Sequence, residues 1–218
     1  MSSSTSLDST VTRPKKRITD ANLLNAARMW CSDSKAAERT YGHISDWDVS
    51  KVKDFSYLFE NVTDFDDDIS AWNLISATTT EGMFDGAASF NGVLESWNVS
   101  YVTVMKNMFR NAQSFNQHIN EWNVSRVGNM QNMFMGAEAF DRPLSAWEVE
   151  SVTTMRSMFD GAVRFNQSLI NWDVSRVHDM GYMLRCAKNF DADHADETAV
   201  WPVQTSVVMG GMFDESLD

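Results

Sequence analysis

Tryptophan recurs at one fixed interval through most of this chain: Trp47, Trp72, Trp97, Trp122, Trp147 and Trp172 follow one another every 25 residues. Other columns keep the same step. Phe84, Phe109, Phe134 and Phe159 stand twelve residues after their tryptophans, and Phe90, Phe115, Phe140 and Phe165 eighteen after. Self-similarity at this period marks a repeat architecture, in which each copy buries its apolar face on its neighbours and a column takes the place of a central core. The 218 residues are 43% hydrophobic with only 3 prolines, which argues against a disordered chain.

Around each tryptophan the order is apolar-x-x-Trp-x-apolar, as in Leu94-x-x-Trp97-x-Val99 and Ile119-x-x-Trp122-x-Val124. The step of two from Trp to Val predicts a short strand with both side chains inward and Asn98 or Asn123 outward, stacked on its copies as a parallel ladder. The next section changes period. Met105, Met108, Phe109 and Ala112 stand at i, i+3, i+4 and i+7, as do Met130, Met133, Phe134 and Ala137, which predicts one face of a helix of one or two turns. Asn61, Gly86, Asn111, Gly136 and Gly161, fourteen after each tryptophan, accept the left-handed conformation that stops a helix; Cys186 breaks that rule. Each copy then returns through Phe followed by Asn or Asp, as in Phe115-Asn116 and Phe140-Asp141, where a short carbonyl side chain can hold a buried turn.

Residues 1–17 are rich in Ser and Thr and read as a disordered basic tail containing Arg13, Lys15, Lys16 and Arg17. Residues 18–43 carry Leu23, Leu24, Ala27 and Trp30 at helical spacing, with Thr19 or Asp20 as cap and Ser34 starting a second helix. They predict a helical N-terminal cap over the first coil. Residues 44–218 hold the repeats, with a four-residue lengthening in the acidic segment 191–200 before Trp201.

The unit Trp-Asp-Val-Ser-x-Val-x-x-Met-x-x-Met-Phe-x-x-Ala-x-x-Phe-Asn, readable in the copies from Ile44 to Phe213, resembles the Trp/Met-Phe variant repeat of unknown function among the BspA-like leucine-rich-repeat surface proteins. The resemblance implies a right-handed solenoid used for recognition, often at cell surfaces, with no catalytic residues to carry over. Together with the spacing, it sets the expected fold: an α/β leucine-rich-repeat-like solenoid of about seven 25-residue coils, each a short parallel strand plus a short helix.

Charge and composition narrow the function. Net charge is −12, with +3 on residues 1–17 and −15 on the remainder, a body that repels phosphate backbones and argues against nucleic acid. No apolar run approaches the length of a membrane helix, and the start lacks a secretory signal, so the expected location is intracellular as written, or the cell surface if a leader was removed. Cys31 and Cys186 share no motif and read as free buried thiols. The methionine column read beside Phe is core rather than a soft-metal site. Asp191, Asp193, His194, Asp196 and Glu197 offer cation-ligand chemistry without EF-hand spacing, and the reading there is a solvated loop with no metal or other cofactor. His43, His118, His178 and His194 occupy different positions of the repeat, and no phosphate loop or nucleophile elbow is present, so no enzyme is expected. Sequons at Asn61, Asn98, Asn123 and Asn166 imply glycans only on entry into a secretory pathway.

What remains is the outward strand face: Asp48, Asn73, Asn98, Asn123, Glu148 and Asp173, beside Ser100 and Ser125 and flanked by Arg126 and Arg176. Its mix of amide, hydroxyl and charge fits a protein or peptide partner, and predicts a scaffold or adaptor. The alternative is an extracellular adhesion or glycan-binding fragment, and the third reading a metal-dependent hydrolase at the acidic insertion.

Overall fold

The computed structural model describes residues 17–190 and 207–214. Its regular helices among these residues are α1, Leu23–Ser32, and α2, Ser34–Tyr41, followed by a single 3₁₀ turn at Ile44–Asp46. Helix α1 buries Leu23, Ala26, Ala27 and Trp30, the i, i+3, i+4, i+7 face of an amphipathic helix. Ser34 opens α2 as expected, and the side chain of Asp33 before it caps the helix by accepting the Ala36 N–H at 2.9 Å.

The expected α/β solenoid of strand-plus-helix coils is contradicted. Between Trp47 and Phe190 the chain contains no helix and no strand of more than one paired residue. Each 25-residue copy is instead a succession of turns, joined to the next by one parallel bridge: Asp54 to Thr79, Thr79 to Val104, Val104 to Asn129, Asn129 to Thr154, Thr154 to Asp179 and Asp179 to Val208. The last step spans the four extra residues, which lie in the segment outside the described residues, as does the acidic insertion 191–200.

Backbone bonding shows why the Met–Phe section is not helical. In one copy the N–H groups of Met105, Asn107, Phe109 and Asn111 donate to Asn129, Gln131, Met133 and Met135 of the next copy, at 2.6 to 3.0 Å. The N–H groups between them close turns: Met108 to the Met105 carbonyl, Arg110 to Asn107 and Ala112 to Phe109, at 3.1 to 3.2 Å. Asn107 (φ 59°) and Asn111 (φ 56°) are left-handed, each the third residue of its turn, where such turns take Gly or Asn. A left-handed residue at every fourth position breaks the run of right-handed torsions that an α-helix needs. Alternate amides are therefore spent on the neighbouring copy, and those of Met108, Arg110 and Ala112 on local turns.

The Trp–Val section is not a strand either. Trp122 N–H closes a turn on Ile119 and Val127 N–H on Val124, and no bridge forms there. Trp122 and Val124 are nevertheless both buried and Asn123 between them exposed, as the step of two predicts; the turns lie before the indole and after the valine.

The interior is aromatic. The tryptophans from Trp47 to Trp172 are at most 4% exposed. Each indole donates Nε1–H across copies, Trp72 to the Ile44 carbonyl, Trp97 to Ile69, Trp122 to Leu94, Trp147 to Ile119 and Trp172 to Leu144, at 2.8 to 3.1 Å. This satisfies a polar atom that burial would otherwise penalise. Phe84, Phe109, Phe134 and Phe159 stack ring on ring at 5.5 to 5.6 Å, and each lies about 4 Å from the second phenylalanine of its own copy. The methionine column is fully buried beside them.

Residues 18–43 supply the first copy with what a preceding copy would give. Asp20 Oδ1 accepts the N–H groups of Lys53 and Asp54, at 2.7 and 3.2 Å, whereas the equivalent Thr78 N–H donates to the Lys53 carbonyl. Trp47 donates Nε1–H to Gly42, and Trp30 packs edge-on against it at 6.1 Å. Asp20 thus serves the ladder, not the start of α1.

Candidate functional site

The residues expected to form a ligand face share one corner of the stack. Asp48, Asn73, Asn98, Asn123, Glu148 and Asp173 each follow a buried tryptophan, and all six are exposed. Their local chemistry is first that of a turn. Asn98 Oδ1 accepts the Ser100 N–H at 3.1 Å and its hydroxyl at 2.7 Å, and Asn123 does the same with Ser125 at 3.1 and 2.7 Å. Asp48 holds Ser50 likewise, at 3.0 and 2.6 Å, Asp173 accepts the Ser175 N–H at 2.9 Å, and Asn73 accepts from Ile75. Each Asn/Asp-x-Ser is therefore a side-chain-closed turn that bends the chain after the indole. The Ser50 hydroxyl, then its amide, holds the Asp48 carboxyl below its ordinary range, and Ser175 does so for Asp173.

Coil five departs from this rule. Glu148 and Glu150 replace the Asn-x-Ser pair, and neither carboxylate has a hydrogen bond or ion pair among the described residues. A shallow hollow opens on either side of Glu148. One, of about 230 Å³, is lined by Asn120, Glu121, Asn123 and Ala146; the other, of about 340 Å³, by Ser145, Glu150, Asn171 and Asp173. The linings hold four carboxylates and no basic side chain. Beside them, Arg126 lies over the Tyr101 ring at 4.7 Å, and Arg176 is exposed on the same column.

The Asn/Asp column after the second phenylalanine is structural but not buried. Asp66 Oδ1 accepts the Asn91 N–H, Asn91 that of Asn116, Asn116 that of Asp141 and Asp141 that of Asn166, at 2.8 to 3.0 Å. Its side chains clip one copy to the next rather than holding a turn within a copy.

Sequence reasoning missed a second charged face, nine to thirteen residues after each tryptophan. The Tyr57 hydroxyl donates to Glu81 at 2.7 Å, which pushes the phenol up to about 12. Buried Asp85 accepts from Arg110 Nε at 2.8 Å while Nη2 stands 2.6 Å from its other oxygen, and buried Asp160 takes Arg185 in the same two-point fashion at 3.0 and 2.6 Å. Tyr182 lies under both Arg156 and Arg185. The signal was available: opposite charges at the repeat interval, Asp85 with Arg110 and Asp160 with Arg185.

Neither cysteine is buried as expected; Cys31 is exposed and Cys186 half-buried. Cys31 borders an open hollow of about 460 Å³ between the helices and coil one, where partial burial and then Asp67 and Asp64 push its thiol up to about 11. His43, His118 and His178 are exposed at separate positions, and no group of three or more His, Cys, Asp or Glu converges on a metal-sized point among the described residues. Asp191, Asp193, His194, Asp196 and Glu197 lie outside those residues. No helix among the described residues is long and apolar enough to cross a membrane.

The stack of copies defines a repeat protein. Residues 25–142 and 116–218 match the family described as "Mycoplasma protein of unknown function, DUF285", and since the two matches cover most of the chain, the protein belongs to that family. No curated protein and no solved structure matches the chain.

Proposed function

We propose that this protein is a non-catalytic interaction module, a scaffold or adaptor that holds a protein or peptide partner on the corner carrying Asn123, Glu148 and Asp173. The observation that carries this reading is coil five. Everywhere else with a polar pair, the corner uses Asn or Asp to close its own turn on Ser; here two carboxylates stand without partners between two hollows. Repeats break a local rule where another demand outweighs it, and unpartnered carboxylates at a groove serve a ligand better than a fold. The surface fits an extended peptide bearing Lys or Arg, which would place a basic side chain in each hollow; electrostatic complementarity of this kind sets partner choice and association rate more than raw affinity.

Affinity capture from native lysate, with the full chain and its Glu148→Lys/Glu150→Lys variant as paired baits, tests the reading. Partners retained by the parent chain and lost by the folded variant support it. A bound set that charge reversal leaves unchanged overturns it.

A further inference from the structure

The two sequons Asn98-Val99-Ser100 and Asn123-Val124-Ser125 are held in a geometry that the other two do not share. We propose that Asn98 and Asn123 are acceptors for an asparagine-directed glycosyltransferase using a sugar activated as a diphosphate ester. In both, Oδ1 is taken by the serine amide and hydroxyl, which fixes the plane of the side-chain amide. The Nδ2 groups have no acceptor among the described residues, and both side chains are exposed on the corner after the indole, one copy apart. The nucleophile thus faces solvent, while the hydroxyl that the sequon requires is already on the amide oxygen, drawing electron density toward it and making the N–H more acidic.

The reaction balances on these groups. The Nδ2–C1 bond to the sugar forms as the C1–O bond to the diphosphate breaks, the diphosphate leaves with the electron pair, and the Nδ2 proton passes to a base of the transferase. Asn61 and Asn166 carry the same sequon in other settings. Asn61 is left-handed (φ 58°), and its Oδ1 lies against Gly86, where an added Cβ would stand only 2.6 Å away. Asn166 is half-buried, its backbone clipped to Asp141, in the column whose side chains hold the next copy. This modification does not use the carboxylates of coil five, but Asn123 also borders one hollow of the partner reading, so a glycan there would compete with a peptide in that hollow, whereas Asn98 lines neither hollow.

The test incubates the folded full chain with an Asn-x-Ser/Thr-specific transferase and its nucleoside-diphosphate hexose, followed by site mapping by mass spectrometry. Synthetic peptides spanning the four sequons serve as the unfolded reference. Occupancy at Asn98 and Asn123 should exceed that at Asn61 and Asn166 by about tenfold in the folded chain, as expected when an acceptor is preset, while the peptides differ little. Ser100→Thr should keep Asn98 modified. Equal occupancy at all four sites of the folded chain, or modification of the peptides alone, overturns the proposal.

Discussion

Replacing Trp122 by Ala removes an indole that is 2% exposed, stacks on Trp97 at 6.4 Å and on Phe109 at 6.4 Å, and donates Nε1–H to the Leu94 carbonyl at 3.0 Å. Deleting a buried aromatic side chain costs about 3–5 kcal/mol through lost transfer energy and the cavity left behind. The upper part of that range applies, because the Leu94 carbonyl also loses its donor, a loss of about 1 kcal/mol. Trp122→Phe separates the two contributions: it keeps much of the ring, loses the donor and should cost about 1–2 kcal/mol. One residue on, Asn123→Ala removes only the exposed acceptor of the Ser125 amide and hydroxyl, worth about 1 kcal/mol. Urea unfolding of the three variants, followed by tryptophan fluorescence and far-ultraviolet circular dichroism, gives the order. If Asn123→Ala costs as much as Trp122→Ala, the indole is not the internal prop described here.

Asp20→Ala uncovers the first amides of the ladder, so Lys53 and Asp54 should exchange their amide hydrogens faster, with stability falling by about 1–2 kcal/mol. Gly82→Ala places a Cβ 2.4 Å from the Tyr57 ring at a residue with φ 59°; Tyr57→Ala should relieve the clash but leave about 1 kcal/mol of backbone strain, a difference that a double-mutant cycle reads directly. The carboxyls of Asp48, Asp173 and Asp68, the last held by the Ser70 hydroxyl and then its amide, are depressed in the folded chain, so the folded state binds fewer protons than the unfolded one below neutrality. Their contribution is complete above the ordinary carboxylate range and is lost as pH falls through the depressed values; Asp48→Asn, which keeps Oδ1, should flatten an acid unfolding curve.

The repeat length, the buried tryptophan and phenylalanine columns and the left-handed position fourteen residues after each tryptophan are legible in the sequence, because periodicity and Gly/Asn chemistry encode them directly. Even Cys186, which breaks the residue rule there, is left-handed at φ 57°. The secondary structure was not legible from apolar spacing. The i, i+3, i+4, i+7 pattern of Met105, Met108, Phe109 and Ala112 fits a helix and equally a pair of turns that bring the same residues inward. The discriminating signal sits ten residues after the tryptophans, where Gly82, Asn107, Asn132 and Ser157 occupy what would be mid-helix with poor helix formers, and all four have positive φ. The candidate face was legible as a set of residues but not as chemistry, since Asn-x-Ser reads equally as display or as a turn. Only coil five, with Glu148 and Glu150, departs from the turn by composition alone.

The central claim is that the Met–Phe section bonds upward to the next copy instead of along a helix. Through-hydrogen-bond scalar coupling between amide nitrogen and carbonyl carbon, measured on isotopically labelled protein, reads it directly. The structure predicts correlations from Met105 to Asn129, Asn107 to Gln131, Phe109 to Met133 and Asn111 to Met135. Correlations from these amides to carbonyls four residues earlier would contradict it.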